Sequence, residues 1–116
     1  MIPKTLSALI RHLDQIRSVR KTDLLSGDCL VVTTRNSSYR IVSLGNGLFR
    51  VSGGWFDRMG ASPATTAING CTWGGSVIHT DLVAGRGLFL EFGNRVVTTR
   101  IRQFHLIRSP ESSVIH

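Results

Sequence analysis

From Leu24 onward, glycine and asparagine break the chain into short apolar runs, and no later stretch carries a helical pattern long enough for a strand-to-strand crossover. Without crossovers, neighbouring strands run antiparallel. The runs are residues 29–35, 39–44, 48–52, 66–68, 71–73, 76–80, 88–92, 95–101 and 104–108. Two Asn-Gly pairs, Asn46-Gly47 and Asn69-Gly70, stand between such runs and predict tight hairpins, because both residue types tolerate positive φ. Residues 57–64 lack periodicity, contain Pro63 and read as a loop. The expected fold is therefore mainly β: about seven short antiparallel strands forming a small barrel or two-layer sandwich. Its predicted core on the strands is Leu30, Val32, Ile41, Val51, Leu88, Leu90, Val97 and Ile101.

Ahead of the strands lies a different pattern. Leu6, Leu9, Ile10, Leu13, Ile16 and Val19 recur in steps of three and four, which places them on one face of a helix over residues 3–19. Pro3 suits the first turn, and Arg20 would fall on the apolar stripe, so the helix is expected to end near Val19. Leu6, Leu9, Leu13 and Ile16 would pack on the sheet. A dimer contact through the same stripe is the next reading, and a membrane surface the weakest, since no Trp or Phe anchors it.

One domain accounts for the whole chain, residues 1–116, with the helix at 3–19, the β-domain at 28–108 and a frayed tail at 109–116. No apolar run approaches the ~20 residues of a membrane span and no signal-peptide layout is seen, so a cytoplasmic location is expected. Cys29 and Cys71 form no CxxC pair and read as small buried hydrophobes, with a disulfide as the rival reading.

A pentapeptide occurs twice, as Val31-Val32-Thr33-Thr34-Arg35 and as Val96-Val97-Thr98-Thr99-Arg100. Continued without gaps, Tyr39-Arg40-Ile41-Val42 falls opposite Phe104-His105-Leu106-Ile107. If the echo is structural, its two copies occupy equivalent places about a pseudo-two-fold axis.

Chemistry-bearing motifs are sparse. Ser76 follows two glycines but lacks the G-x-S-x-G elbow and enters a strand instead of a helix. Cys71, Ser76, His79, Asp81 and His105 would make a catalytic group only if the fold brought them together. His79 and Asp81 alone fall short of the three or four ligands of a stable zinc site. The glycines around Cys71 are followed by no lysine and no helix, unlike a phosphate loop. Neither catalytic residues nor a metal or other cofactor are expected.

Charge carries the one remaining bias. The chain has 14 Lys+Arg against 7 Asp+Glu, a net charge of +7, and twelve of the basic residues are arginine. Arginine offers phosphate a planar bidentate fork that lysine lacks. Alternation sets Arg40 opposite Tyr39 and Ile41, and Arg100 and Arg102 opposite Ile101. The sequence thus points to a non-catalytic binding module, with nucleic acid held by Arg40, Arg100 and Arg102 together with Arg11 and Lys4. The alternatives are a self-associating interaction module and a small-molecule barrel, in which Trp55, Phe56 and Trp73 form the interface or roof the pocket.

Overall fold

The computed structural model describes residues 18–110. Its elements in chain order are β1 (Ser18–Arg20), a 3-10 turn (Lys21–Asp23), β2 (Cys29–Thr34), β3 (Ser38–Gly45), β4 (Leu48–Gly53), α1 (Gly54–Arg58), β5 (Ala64–Thr66), β6 (Ile68–Thr72), β7 (Leu82–Gly85), β8 (Phe89–Phe92) and β9 (Ile101–Ile107). All strand pairs are antiparallel. Five strands form one sheet in the order β5-β4-β3-β2-β9, while β1 pairs with β7 and β6 with β8.

Alternation builds the large sheet. Leu30, Val32, Ile41 and Val51 are all 0% exposed, and their register partners across the sheet lie on the same inner face. Gly45-Asn46-Gly47 makes the predicted β3–β4 hairpin, with Asn46 at φ 55° and Gly47 at φ 76°. Aromatic rings tie this sheet to the β6–β8 pair. Phe56 of α1 meets Phe92 of β8 edge-to-face at 5.0 Å, and Tyr39 of β3 lies 5.6 Å from Phe92. Gly54 permits that approach: a Cβ there would lie 2.3 Å from the Tyr39 ring, on a backbone at φ 46°.

An ion pair with one buried partner, Asp28, ties the start of β2 to the segment after β9. Asp28 is 0% exposed and accepts hydrogen bonds from Leu25 N–H, from Ser109 N–H and from Nη1 of Arg108. Arg108 also donates to the Asp23 carbonyl at 2.8 Å.

The described strands form no closed barrel, because β6 leaves the edge of the five-stranded sheet to pair with β8. Asn69-Gly70 is no hairpin but a bulge inside β6, where the ladder skips between Ile68 and Gly70. Glycine is needed there because a Cβ would stand 2.3 Å from the His79 carbonyl oxygen. Residues 76–80 form no strand and contribute a single bridge, Cys71 with His79. The predicted helix also fails at its end: Ser18 and Val19 belong to β1, where Val19 is buried and pairs with Ala84. Residues 3–17, with Lys4, Arg11 and the rest of the apolar stripe, lie outside the described residues, as do 111–116 of the tail. Ser109 is tied to Asp28 instead of fraying.

Residues 95–101 do not form a regular strand either. They run beside β8 through Phe92 N–H to Val96 O, Thr98 N–H to Leu90 O and Ile101 N–H to Leu88 O. The Thr98 hydroxyl accepts from Leu90 N–H, so a side chain fills a backbone role and turns inward. Thr98 is 4% exposed in consequence, and Val97, expected in the core, is 50% exposed.

Candidate polyanion-binding face

The ladder registers define the outer face of the large sheet. Ser52, Arg40, Val31 and His105 line up across β4, β3, β2 and β9, and Arg50, Val42, Cys29 and Ile107 form the next row. Thr33, with Ser38 and Gln103 on either side, forms a third. Arg40, Arg50, Gln103 and His105 are exposed. Arg40 and Arg50 sit diagonally on adjacent strands, an arrangement that separates Cα atoms by about 7–8 Å. Nη1 of Arg40 lies 4.0 Å from Cys29 Sγ, so this arginine leans along the sheet over the cysteine.

The second half of the sequence echo explains part of this face. Tyr39 and Phe104 both pair with Val32, Arg40 and His105 both with Val31, Ile41 and Leu106 both with Leu30, and Val42 and Ile107 both with Cys29. The two copies flank β2 at identical register. The first half does not repeat, since Val32 is buried and its counterpart Val97 is exposed.

The strands of the large sheet supply no carboxylate to this face. Among the described residues each of the five acids has its own partner: Asp23 with Arg20 N–H, Asp28 with Arg108, Asp57 with Ser62 Oγ and Gly53 N–H, Glu91 with Asn69, and Asp81 loosely with Arg20 at 3.9 Å. Asp57 reaches the rim of a shallow depression of about 290 Å³ that also involves Val31, Ser38, Arg40 and Ser52. Its carboxyl is held below its ordinary pKa by the Ser62 hydroxyl first and the Gly53 N–H second, with desolvation opposing.

Arginines also gather where β2 ends. Arg35 donates its backbone N–H to the Arg100 carbonyl, the Thr99 and Thr34 hydroxyls meet at 2.9 Å, and Arg58 Nη1 donates to Ser37 Oγ. Arg102 lies in the β9 bulge opposite Thr33 and Thr34 and is exposed. The predicted trio of Arg40, Arg100 and Arg102 is therefore not one flat row. Arg100 lies outside the strands, with its guanidinium 4.7 Å from the centre of the Phe89 ring and a hydrogen bond to Gly87 O. Arg50 and His105 join Arg40 through the register, which alternation along one strand does not reveal.

The tryptophans do not share a roof. Phe56 is 0% exposed and belongs to the core, Trp55 packs half-buried against it, and Trp73 is 63% exposed beyond β6. The residues of catalytic type do not converge. Cys71 is buried and meets His79 through backbone bonds, Ser76 is exposed, and His105 lies on the outer face of the other sheet. Burial pushes the Cys71 thiol up to about 12, aided by the charge of Asp81 and opposed by Lys21, so it stays protonated at neutral pH. Both cysteines are free thiols. Among the described residues no group of three His, Cys, Asp or Glu side chains could hold a metal ion, and no helix is long and apolar enough to cross a membrane. Comparison with family models, curated proteins and solved structures finds no match to this chain.

Proposed function

We propose that the protein is a non-catalytic module that binds polyanions, nucleic acid in particular, on the outer face of its five-stranded sheet. The observation that carries this reading is the pairing of exposed Arg40, Arg50 and His105 on one face to which the strands contribute no carboxylate. Ser38, Ser52, Thr33 and Gln103 surround them with hydroxyl and amide donors suited to phosphate oxygens. The planar guanidinium fork is pre-organised, so less entropy is lost per hydrogen bond formed than with lysine.

The test is a salt titration of binding to labelled nucleic acid. Affinity is expected to fall with a log–log slope of roughly 0.9 per duplex phosphate neutralised. Arg40→Glu with Arg50→Glu is expected to abolish binding and leave the melting temperature nearly unchanged, since exposed strand charges contribute little to stability. Absence of binding by the wild type at ~20 mM salt, where screening is weakest, would end this reading.

Self-association is the second reading, favoured by the outer edge of β9. Beyond Ile101, whose backbone bonds Gly87 and Leu88, no described strand pairs with it, and Ile107 at its end is 51% exposed. An unpaired edge strand is a ready template for a second copy. Light scattering decides it, and a monomeric mass at high concentration excludes it.

A further inference from the structure

We infer that the ligand is single-stranded nucleic acid and that Trp73 is the platform on which one of its bases stacks. This rests on the polyanion reading above and adds the ligand class and a second contact region.

Trp73 is 63% exposed, although a large aromatic contributes most to stability when buried. Its ring lies along the backbone at Gly87, where a Cβ would come within 3.4 Å of Cζ3. Phe89 lies beside the next residue, Gly74, where a Cβ would stand 3.2 Å from its ring. Arg100 joins the group by stacking on Phe89 at 4.7 Å and by donating to Gly87 O at 2.8 Å. Trp73, Gly87, Phe89 and Arg100 are therefore one contiguous surface. Next to it is a shallow depression of about 300 Å³ bordered by Gly74, Gly75, Phe89, Val97 and Glu91.

The chemistry of that depression selects its occupant. Glu91, held by Asn69 at 2.7 Å, repels a phosphate. Flat glycine backbone, an aromatic ring and Val97 favour an uncharged planar group instead. A nucleobase supplies such a group, while the Arg100 guanidinium at the margin meets the phosphate that follows it. A duplex keeps its bases stacked inside and cannot present one. The Arg35–Arg100 backbone bond of 3.0 Å sets Arg100 beside the end of β2, at the edge between this surface and the large sheet.

Anisotropy titrations with labelled oligothymidine, its duplex with oligoadenosine, and heparin test the inference. The wild type is expected to prefer the single strand. Trp73→Ala is expected to weaken single-strand binding about tenfold, as loss of one base stack does, and to leave duplex and heparin binding unchanged. Trp73→Phe should recover most of the loss. In a Trp55→Phe background, oligothymidine should quench the remaining tryptophan emission. Equal affinity for single strand and duplex, or a Trp73→Ala variant that binds the single strand as well as the wild type, overturns this inference and leaves the polyanion reading standing. Failure of the wild type to bind any of the three probes overturns both.

Discussion

Removing Arg108 is expected to destabilise the fold more than removing any other basic side chain described above. In Arg108→Met the Asp28 carboxylate stays in its fully buried place and keeps the N–H groups of Leu25 and Ser109, but it loses its counter-charge. Breaking a buried ion pair from one side costs about 3–5 kcal/mol. The Arg108 side chain is 49% exposed, so water can reach the vacated position, and the low end, about 3 kcal/mol, is the appropriate figure. With a urea m-value near 1.5 kcal/mol per molar, the midpoint should fall by about 2 M. Asp28→Ala strands two backbone donors but frees an arginine that can turn to solvent, so it should cost about as much and no more. A double-mutant cycle with both changes should then show a coupling above about 1 kcal/mol. That coupling should be nearly the same at low and high salt, because a buried pair is poorly screened. A coupling near zero, or one that disappears in high salt, would show that Asp28 and Arg108 behave as a surface pair and that the reasoning is wrong.

Other outcomes follow from the same packing. Gly54→Ala should cost more than about 2 kcal/mol by chemical denaturation, since its Cβ would collide with the Tyr39 ring on a left-handed backbone. Val32→Ala should cost about 2 kcal/mol and Val97→Ala under about 0.5, although the two valines are counterparts in the echo, because one is fully buried and the other half-exposed. Cys71 should resist thiol reagents in the native state and react on unfolding. Its thiol stays protonated in the fold to about 12 and ionises in the unfolded chain from about 9, so stability is unaffected below pH 9 and falls as pH rises through that window. The slope is about 1.4 kcal/mol per pH unit, and the wild type should show it relative to Cys71→Ala.

The antiparallel, glycine-punctuated β-fold was legible because its signals are local. Alternation placed Leu30, Val32, Ile41 and Val51 in the core, and Asn46-Gly47 made its hairpin, because two residues at positive φ suit only that turn. Asn69-Gly70 carries the same dipeptide and forms a bulge, since the His79 backbone presses on it from outside the local stretch. Val31 to Arg35 and Val96 to Arg100 are identical in sequence, yet their inward and outward faces are exchanged. A long ladder with β3 and β9 holds the first copy straight, whereas Thr98 substitutes its hydroxyl for a backbone acceptor in the second.

For the candidate site, composition and alternation by themselves determined that arginines would stand on solvent-facing positions of strands. Which arginines face the same way depended on pairing order and register. Arg50 joined Arg40 because β4 lies beside β3, His105 joined it across β2, and Arg100 was drawn instead to Phe89 and Gly87. Strand pairing links residues far apart in the chain, and a shift of one residue in register turns every side chain to the opposite face.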